Sequence, residues 1–481
     1  MSGPIVRLFG FVAVLFALLI GWTSRWTVFD AKSLNANTLN HRTLIDELKI
    51  KRGRILAVDG TVLARPVAGR GGTYSRSYPT GSLFSQAVGY SIASTGQDAG
   101  LELSLKDALR GAQTGISGVF GQLSSRRVGN DVYTTLDPKA QRVARQQLAG
   151  RAGSVVAVDP QTGAVRVMYA EPGYDDNHPD AKGPGASTGA ASPPTQFNRS
   201  TQAGYPPGST FKVVTATAAL DSGRYTPSST VNGNSPIAVS GVPLANDNKQ
   251  SFGPIDLTTA LTFSVNTVWA QVAQSVGRPT MTRYMRRFGF YAKPPLDYPP
   301  GELKASRPFS SATGRAYAPG SPKEDIGRIG IGQGGLQVTP LEMAMVAAAV
   351  ANGGRLMVPH LTDRIVDPDG RTSRTIAPAV RAQVMKPSTA QAVAQMMTHV
   401  VGEGTGTAAA LNGIQVAGKT GTAQIDIMQN VTQPWFIAFA PVQNPKVAIA
   451  ATIERSQGGF GGTVAAPIAK AVIQTLLAEG R

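Results

Sequence analysis

The sequence predicts an α+β chain in which one membrane-spanning helix and a spacer region precede a larger domain, whose central antiparallel sheet is packed between helices. Three observations carry this expectation. An uncharged apolar run stands at residues 8–24. Two apolar segments flank a turn-rich stretch at 159–163, and a second such pair (435–440 and 446–453) lies close to the other end of the chain. Helical patterns fill the space between the pairs and one more closes the chain near 465–477, so both ends of the domain contribute to one sheet.

At 481 residues the chain has room for two or three domains, and 42% apolar against 16% charged residues suits a folded protein with a large core. A formal net charge of +17 attracts anionic polymers and lipid surfaces. The lysines and arginines are dispersed, with no basic run, RNA-binding signature or zinc-finger spacing, so nucleic acid is not an expected partner. With no cysteine, disulfides, thiol catalysis and Cys-based metal sites are excluded.

Residues 8–24 are about long enough to cross a bilayer as a helix. Arg7 precedes the run, and Trp22 and Trp26 suit the far interface. A cleaved signal peptide is the rival reading, but the two tryptophans stand where a cleavage site needs small residues. The expectation is an uncleaved anchor, with residues 1–7 cytoplasmic and the rest outside. Residues 25–150 follow as a first extracytoplasmic region. In it, 51–64 reads as two short strands around an Asp59-Gly60 turn, and 101–109 as an amphipathic helix. Asp137 caps a further helix with Pro138 at its first position. No catalytic constellation stands out there.

Residues 151–481 make the second region. Its opening hairpin (154–158 and 164–169) is followed by a low-complexity loop at 183–194 and a helix from Ser209. A helical segment at 257–261 leads through Ser264-Val-Asn266 into another at 267–276. Residues 289–325, rich in Pro, Gly, Ser and Lys, read as a long exposed excursion. Thr339-Pro-Leu-Glu342 is a capping box, and the helix it opens stops at Asn352-Gly-Gly354. A strand at 414–422 precedes the final hairpin.

Chemistry gathers around Gly204-Tyr-Pro-Pro-Gly-Ser-Thr-Phe-Lys-Val-Val-Thr215. Prolines and a glycine stop the preceding chain, and Ser209 stands at a helix mouth where developing negative charge is favoured. Lys212 follows three residues on, on the same face, among Val213, Val214, Ala216, Ala218 and Ala219. Desolvation there lowers a lysine's pKa and makes it a base. Three other matches fail on context. Gly413-Ile-Gln-Val-Ala-Gly-Lys-Thr420 fits a P-loop pattern, but its middle is strand-like. Gly330-Ile-Gly-Gln-Gly-Gly335 lies too far before its helix to hold a pyrophosphate and reads as a tight turn. Gly185-Ala-Ser-Thr-Gly189 has no preceding strand for a nucleophile elbow, and His41, His178, His360 and His399 fall in no base motif.

Ser209-x-x-Lys212, Ser264-x-Asn266 and Lys419-Thr-Gly421 occur in that order, each in a suitable local context. With Tyr205-Pro-Pro-Gly-Ser-Thr-Phe-Lys212, Gly418-Lys-Thr-Gly-Thr-Ala-Gln424 and Trp435-Phe-Ile-Ala-Phe-Ala-Pro441, the sequence resembles the class B penicillin-binding proteins of the actinobacterial type, from about Ser154 to the end. The likeness continues more loosely through Arg52-Gly-x-Ile-Leu and Gly100-Leu-Glu102. It implies a penicillin-binding serine transpeptidase fold over 151–481, with an elongated pedestal of the dimerisation type over 25–150. It further implies a peptidoglycan D,D-transpeptidase that cross-links stem peptides ending in D-Ala-D-Ala, releases terminal D-Ala and is acylated by β-lactams.

By that resemblance Ser209 is the nucleophile and Lys212 its base, Ser264 relays protons, Asn266 holds a substrate amide, and Lys419 keeps Lys212 neutral. The backbone N–H groups of Ser209 and Thr422 form the oxyanion hole. Thr420 and Thr422 bind the carboxylate, and Gly421 lets a substrate strand approach the sheet edge. No metal or organic cofactor is implied. A membrane glycan polymerase of the SEDS type is the implied partner, since the first region is too short for a polymerase module of its own. The remaining alternatives are a D,D-carboxypeptidase, and a non-catalytic scaffold or β-lactam sensor. A sensor needs an intracellular output domain, for which residues 1–7 leave no room.

Overall fold

The computed structural model describes residues 2–26, 47–111, 128–179, 196–426 and 428–480. The low-complexity loop at 183–194, with Gly185–Gly189 inside it, and His41 lie outside the described residues. Helix α1 (Ser2–Ser24) carries no acidic or basic residue in its terminal turns, and its apolar side chains are exposed. Residues Gly3–Ser24 have a mean hydropathy of 2.4, long and apolar enough to cross a membrane.

The first region is built on β1 (Ile55–Leu56), β2 (Val62–Ala68), β3 (Tyr74–Ser77) and β4 (Asp131–Thr134). β1 and β2 pair antiparallel around the Asp59-Gly60 turn, where Thr61 N–H donates to Asp59 Oδ1 at 2.9 Å. The six-stranded sheet is completed by two strands from much later in the chain, Thr362–Val366 and Thr372–Thr375, the first of which pairs with β4. Sequence reading missed this because the pairing is long-range. The helix expected at 101–109 breaks at Leu105 (φ −107°, ψ 19°) into Gly100–Ser104 and Lys106–Leu109. Glu102 is fully buried and pairs with Arg76 (Nε–Oε1 2.5 Å) and Arg52 (Nη2–Oε2 2.9 Å), and Arg52 also pairs with Asp98 at 3.4 Å. That carboxylate compensates two guanidinium groups that burial would otherwise make costly.

Helix α2 (Pro138–Leu148) begins as the sequence requires, with Asp137 Oδ1 accepting from Lys139 and Ala140 N–H at 2.9 Å. β5 (Gly153–Val158) and β6 (Val165–Glu171) then form the expected hairpin. Every residue of β5 is buried, as a central strand requires, and Gly163 (φ +83°) fits its turn where a Cβ would lie 2.3 Å from Val358 O. Next come α3 (Lys212–Asp221), α4 (Leu257–Thr262), α5 (Asn266–Val276), α6 (Pro340–Ala351) and α7 (Pro387–Gly402). β7 (Ala417–Asp426), β8 (Val431–Ala440), β9 (Val447–Ile453) and α8 (Ala466–Ala478) end the chain.

The main sheet runs β7-β8-β9-β5-β6, so the opening hairpin adds to the closing strands and both ends of the domain complete it. α6 and α7 pack on this sheet, as do α2 and α8, which also pack on each other. α6 is buried from Pro340 to Val350, so it is a core helix rather than an amphipathic one.

Three expectations need correcting. Strand β7 starts at Ala417, not 414, because Gly413 (φ +72°) turns the chain just before it. The stretch 289–325 is continuously exposed only over 311–316, with scattered exposed residues elsewhere. Upstream, Phe290, Leu296, Tyr298 and Leu303 are buried, and Asp297 accepts from Leu361 and Thr362 N–H at 2.7 and 2.8 Å. Its polar composition hid these anchors. The capping box at 339–342 is half-formed: Glu342 N–H donates to Thr339 Oγ1 at 3.1 Å, but Thr339 N–H donates to Ser306 Oγ. The Glu342 carboxyl is instead fully buried, and burial pushes its pKa up to about 7 against the opposing charge of Arg381.

Candidate active site

Ser209 lies in a tight 3-10 turn, Gly208–Phe211, and the α-helix proper starts at Lys212, one turn later than the sequence suggested. Gly208 takes φ +52°, and Thr210 Oγ1 donates to Pro207 O at 2.8 Å, which tightens the turn. Ser209 is half-buried at the mouth of α3, whereas Lys212 is completely buried. The approach to this turn is held on two sides. Trp435 Nε1 donates to Pro206 O at 3.0 Å, and Tyr205 exchanges backbone hydrogen bonds of 2.9 and 2.8 Å with Val338.

The glycine-rich motif read as a mere turn also belongs here. Gly208 N–H donates to Gly332 O at 3.2 Å, and a Cβ on Gly332 (φ +77°) would sit 1.9 Å from Gly208 O. Gly332→Ala must therefore push the Ser209 turn away. A displacement near 1 Å costs about 10²-fold in rate. We expect acylation by penicillin to slow by about that factor, measured as the second-order rate constant. A rate equal to that of the unsubstituted protein refutes this coupling.

Ser264 and Asn266 are two residues apart and would diverge by about 200° on a regular helix. They converge because Ser264 adopts φ +60° and Val265 is extended, a left-handed step between α4 and α5. Lys212 Nζ then reaches Ser264 O (2.7 Å), Asn266 Oδ1 (2.7 Å) and Ser264 Oγ (3.2 Å). Asn266 Nδ2 donates to Ala245 O at 3.3 Å, which turns its carbonyl toward the lysine. From β7, Lys419 Nζ comes to Ser264 Oγ at 2.9 Å and to Thr420 O at 3.0 Å. Ser264 Oγ thus bridges two buried lysine side chains.

Burial pushes Lys212 well below the ordinary lysine range, and the neighbouring charge of Lys419 adds to the shift. Burial likewise brings Lys419 down to about 7, with Asp247 opposing. A neutral Lys212 has two N–H bonds and one lone pair. The two N–H bonds match the two carbonyl oxygens, Ser264 O and Asn266 Oδ1. The lone pair is left for a hydroxyl proton, which is what a general base requires.

Thr420 Oγ1 is tied to Thr405 Oγ1 at 2.6 Å, and Thr405 N–H donates to Thr262 O at 3.3 Å. Thr405 therefore joins β7 to α4 beside the lysines, and no motif pointed to it. Gly421 stands where the strand is closely approached. A Cβ there would lie 2.7 Å from Pro207 O and 2.9 Å from Thr210 Cγ2, so what approaches is the protein's own Ser209 turn. Thr422 sits opposite Pro434. Thr452 Oγ1 donates to Pro434 O at 2.9 Å, so the polar edge of Pro434 faces β9. The N–H and C=O of Thr422 consequently point away from β8, toward the free edge of the sheet. Gly208 lies there, with its Cβ direction 3.0 Å from Thr422 O. The Thr422 hydroxyl accepts from Gly461 N–H at 3.2 Å. The two lysines thus meet at Ser264, and the Thr422 backbone faces the Gly208–Phe211 turn that carries Ser209. Among the described residues no group of His, Asp or Glu is arranged to hold a metal.

A family model described as the penicillin binding protein transpeptidase domain matches residues 153–474. The chain belongs to the penicillin-binding protein transpeptidase family. In this penicillin-binding protein a second model, described as the penicillin binding protein A dimerisation domain, matches residues 52–130. It is similar to the peptidoglycan D,D-transpeptidase PbpA of Mycolicibacterium smegmatis, at 33% identity over 98% of both chains. The protein of the same name from Mycobacterium tuberculosis is 32% identical over 99% of both. Among solved structures, the ceftriaxone acyl-enzyme complex of penicillin-binding protein A from M. tuberculosis superimposes with a TM-score of 0.78. It is 30% identical, covering 90% of this penicillin-binding protein and 100% of that chain.

Proposed function

We propose that this protein is a serine D,D-transpeptidase of peptidoglycan synthesis, acylated at Ser209 by stem peptides and by β-lactams. The observation that carries the reading is the meeting of Lys212, Ser264, Asn266 and Lys419 around one buried hydroxyl beside the Ser209 turn. Neutral Lys212 takes the Ser209 proton, and Ser209 Oγ attacks the carbonyl carbon of the penultimate D-Ala. Charge developing on the carbonyl oxygen falls to the Ser209 and Thr422 N–H groups, donors of a kind worth about 3 kcal/mol each in a transition state. As the tetrahedral intermediate collapses, the amine of the terminal D-Ala leaves with a proton passed from Lys212 through Ser264. Lys419 and the Thr420 and Thr422 hydroxyls receive the substrate carboxylate, and Asn266 holds the peptide amide. A second stem's amine then resolves the ester, forming the cross-link and returning a proton to Ser209.

These steps use side chains and backbone groups alone. In the same reading α1 anchors the protein in the membrane, with its N-terminus cytoplasmic and the sheet outside. A membrane glycan polymerase of the SEDS type supplies the strands, contacted through the first region. The test mixes purified protein with a donor peptide ending in D-Ala-D-Ala and an amine-bearing stem peptide. Cross-linked dimer together with free D-Ala is expected, read by mass spectrometry. Free D-Ala with no dimer would replace the reading with a D,D-carboxypeptidase.

A further inference from the structure

The turn over the active site carries a carboxylate that the scheme above does not use. Residues Asp247–Lys249 form a short turn ahead of α4, and the two residues before it are fastened to the start of α5. Ala245 O accepts from Asn266 Nδ2 at 3.3 Å, and Asn246 Oδ1 accepts from Thr267 N–H at 2.9 Å. Asn246 is itself buried, and its Nδ2 donates to Gly233 O and Gln250 O at 3.1 and 2.9 Å. The turn is held in an unusual backbone state, since Asn248 and Lys249 both take positive φ, 52° and 55°. Held strain of this kind gathers at ligand-handling sites.

Asp247 itself is exposed, and its carboxylate has no hydrogen bond or ion pair among the described residues, Lys249 included. Its charge nevertheless reaches both buried lysines, whose downward shifts it opposes. A free anion here is notable in a chain with 46 basic and 29 acidic residues. Phe263, immediately before Ser264, is 46% exposed and stacks on the partly buried Phe252 with ring centroids 6.3 Å apart. An anion and an aromatic pair with one exposed ring, Phe263, therefore sit on the two chain segments that meet at the Ser264–Asn266 step.

The acyl donor does not call for this pair of features. It presents a carboxylate, which Lys419 attracts and Asp247 repels. The acceptor does call for it. A primary amine on a short methylene chain is protonated at neutral pH and must approach a protein of net charge +17 past two catalytic lysines. We propose that Asp247 is the positioning carboxylate for the acyl acceptor, receiving the incoming ammonium beside Ser264 while Phe263 and Phe252 pack its methylene chain. The inference rests on the transpeptidase reading. Asp247 holds the amine in its charged form and does not take its proton. The ammonium gives one proton to Lys212. The free amine then forms the new C–N bond to the acyl carbon, the Ser209 Oγ–C bond breaks, and a second amine proton returns to Ser209 Oγ.

The test compares Asp247→Asn and Asp247→Glu with the unsubstituted full chain, each first shown to be labelled covalently by penicillin. Transfer from a D-Ala-D-Ala donor is measured to an amine-bearing stem peptide and to hydroxylamine, which is uncharged near neutral pH. We expect Asp247→Asn to lower the ratio of amine to hydroxylamine transfer by about tenfold, the order of local charge steering, through a higher acceptor KM. Asp247→Glu recovers most of the ratio. Raising the salt concentration weakens amine transfer in the unsubstituted protein and not in Asp247→Asn. An unchanged ratio, or equal loss with both acceptors, overturns the inference while leaving the transpeptidase reading intact. Absence of dimer from the unsubstituted protein removes both.

Discussion

Replacing Ser209 by alanine is expected to abolish covalent labelling by a fluorescent penicillin and to cut transpeptidation by at least about 10⁴-fold, as removal of a covalent nucleophile does. The change removes one oxygen from a half-buried side chain in a 3-10 turn. That turn is held by backbone bonds to Gly332 and by Trp435, none of which involves the Ser209 hydroxyl. Folding is therefore retained, and a thermal midpoint within a few degrees of the unsubstituted protein is the accompanying control. Labelling that persists in this variant assigns the nucleophile elsewhere and refutes the scheme.

Lys212→Met carries the second largest effect. It leaves an unbranched side chain one atom shorter and removes the base, so acylation should fall between about 10²- and 10⁴-fold. Lys212→Arg should be no better, because a guanidinium stays protonated and cannot accept the Ser209 proton. The same substitution tests whether the lysine is neutral. The folded-state pKa of Lys212 is depressed well below its unfolded value, so across that interval the unfolded chain binds more protons than the native one. Stability of the unsubstituted protein therefore rises with pH toward about 10.4, the ordinary lysine value. Lys419, at about 7, adds a second contribution of the same sign that begins near neutral pH. Lys212→Met loses its share, so its melting curve should gain less between pH 7 and 9. Parallel melting profiles for the two proteins would mean that Lys212 is charged in the native state.

Much of the fold was legible because its signals are local. The hairpin at β5–β6 and the Asp137 cap are written in alternation and in one capping side chain. Other elements were not. The strand Thr362–Val366 pairs with β4 more than two hundred residues earlier, and its short polar sequence gives no sign of that partner. The stretch 289–325 looked solvated because its composition is polar, yet Asp297 and Tyr298 carry the hydrogen bonds that bury it. The Gly330–Gly335 motif was read as a plain turn, and only the contact of Gly332 with Gly208 links it to the nucleophile.

The spacing of the site is already present along the chain: a serine and a lysine one turn apart, a serine and an asparagine flanking one residue, and a lysine in a strand-like run. Spacing along a chain is local geometry, and short-range sterics suffice to set it. The chemistry arises from long-range packing. Lys419 lies 155 residues from Ser264, yet the two are 2.9 Å apart because β7 packs beside the α4–α5 turn. The downward push on the Lys212 pKa comes from complete burial, which depends on every segment that covers it. The outward N–H of Thr422 follows from pairing with Pro434, and the place of Asp247 from a turn fastened to Asn266 and Thr267. Desolvation and hydrogen-bond direction belong to the assembled fold, so no stretch of sequence carries them alone.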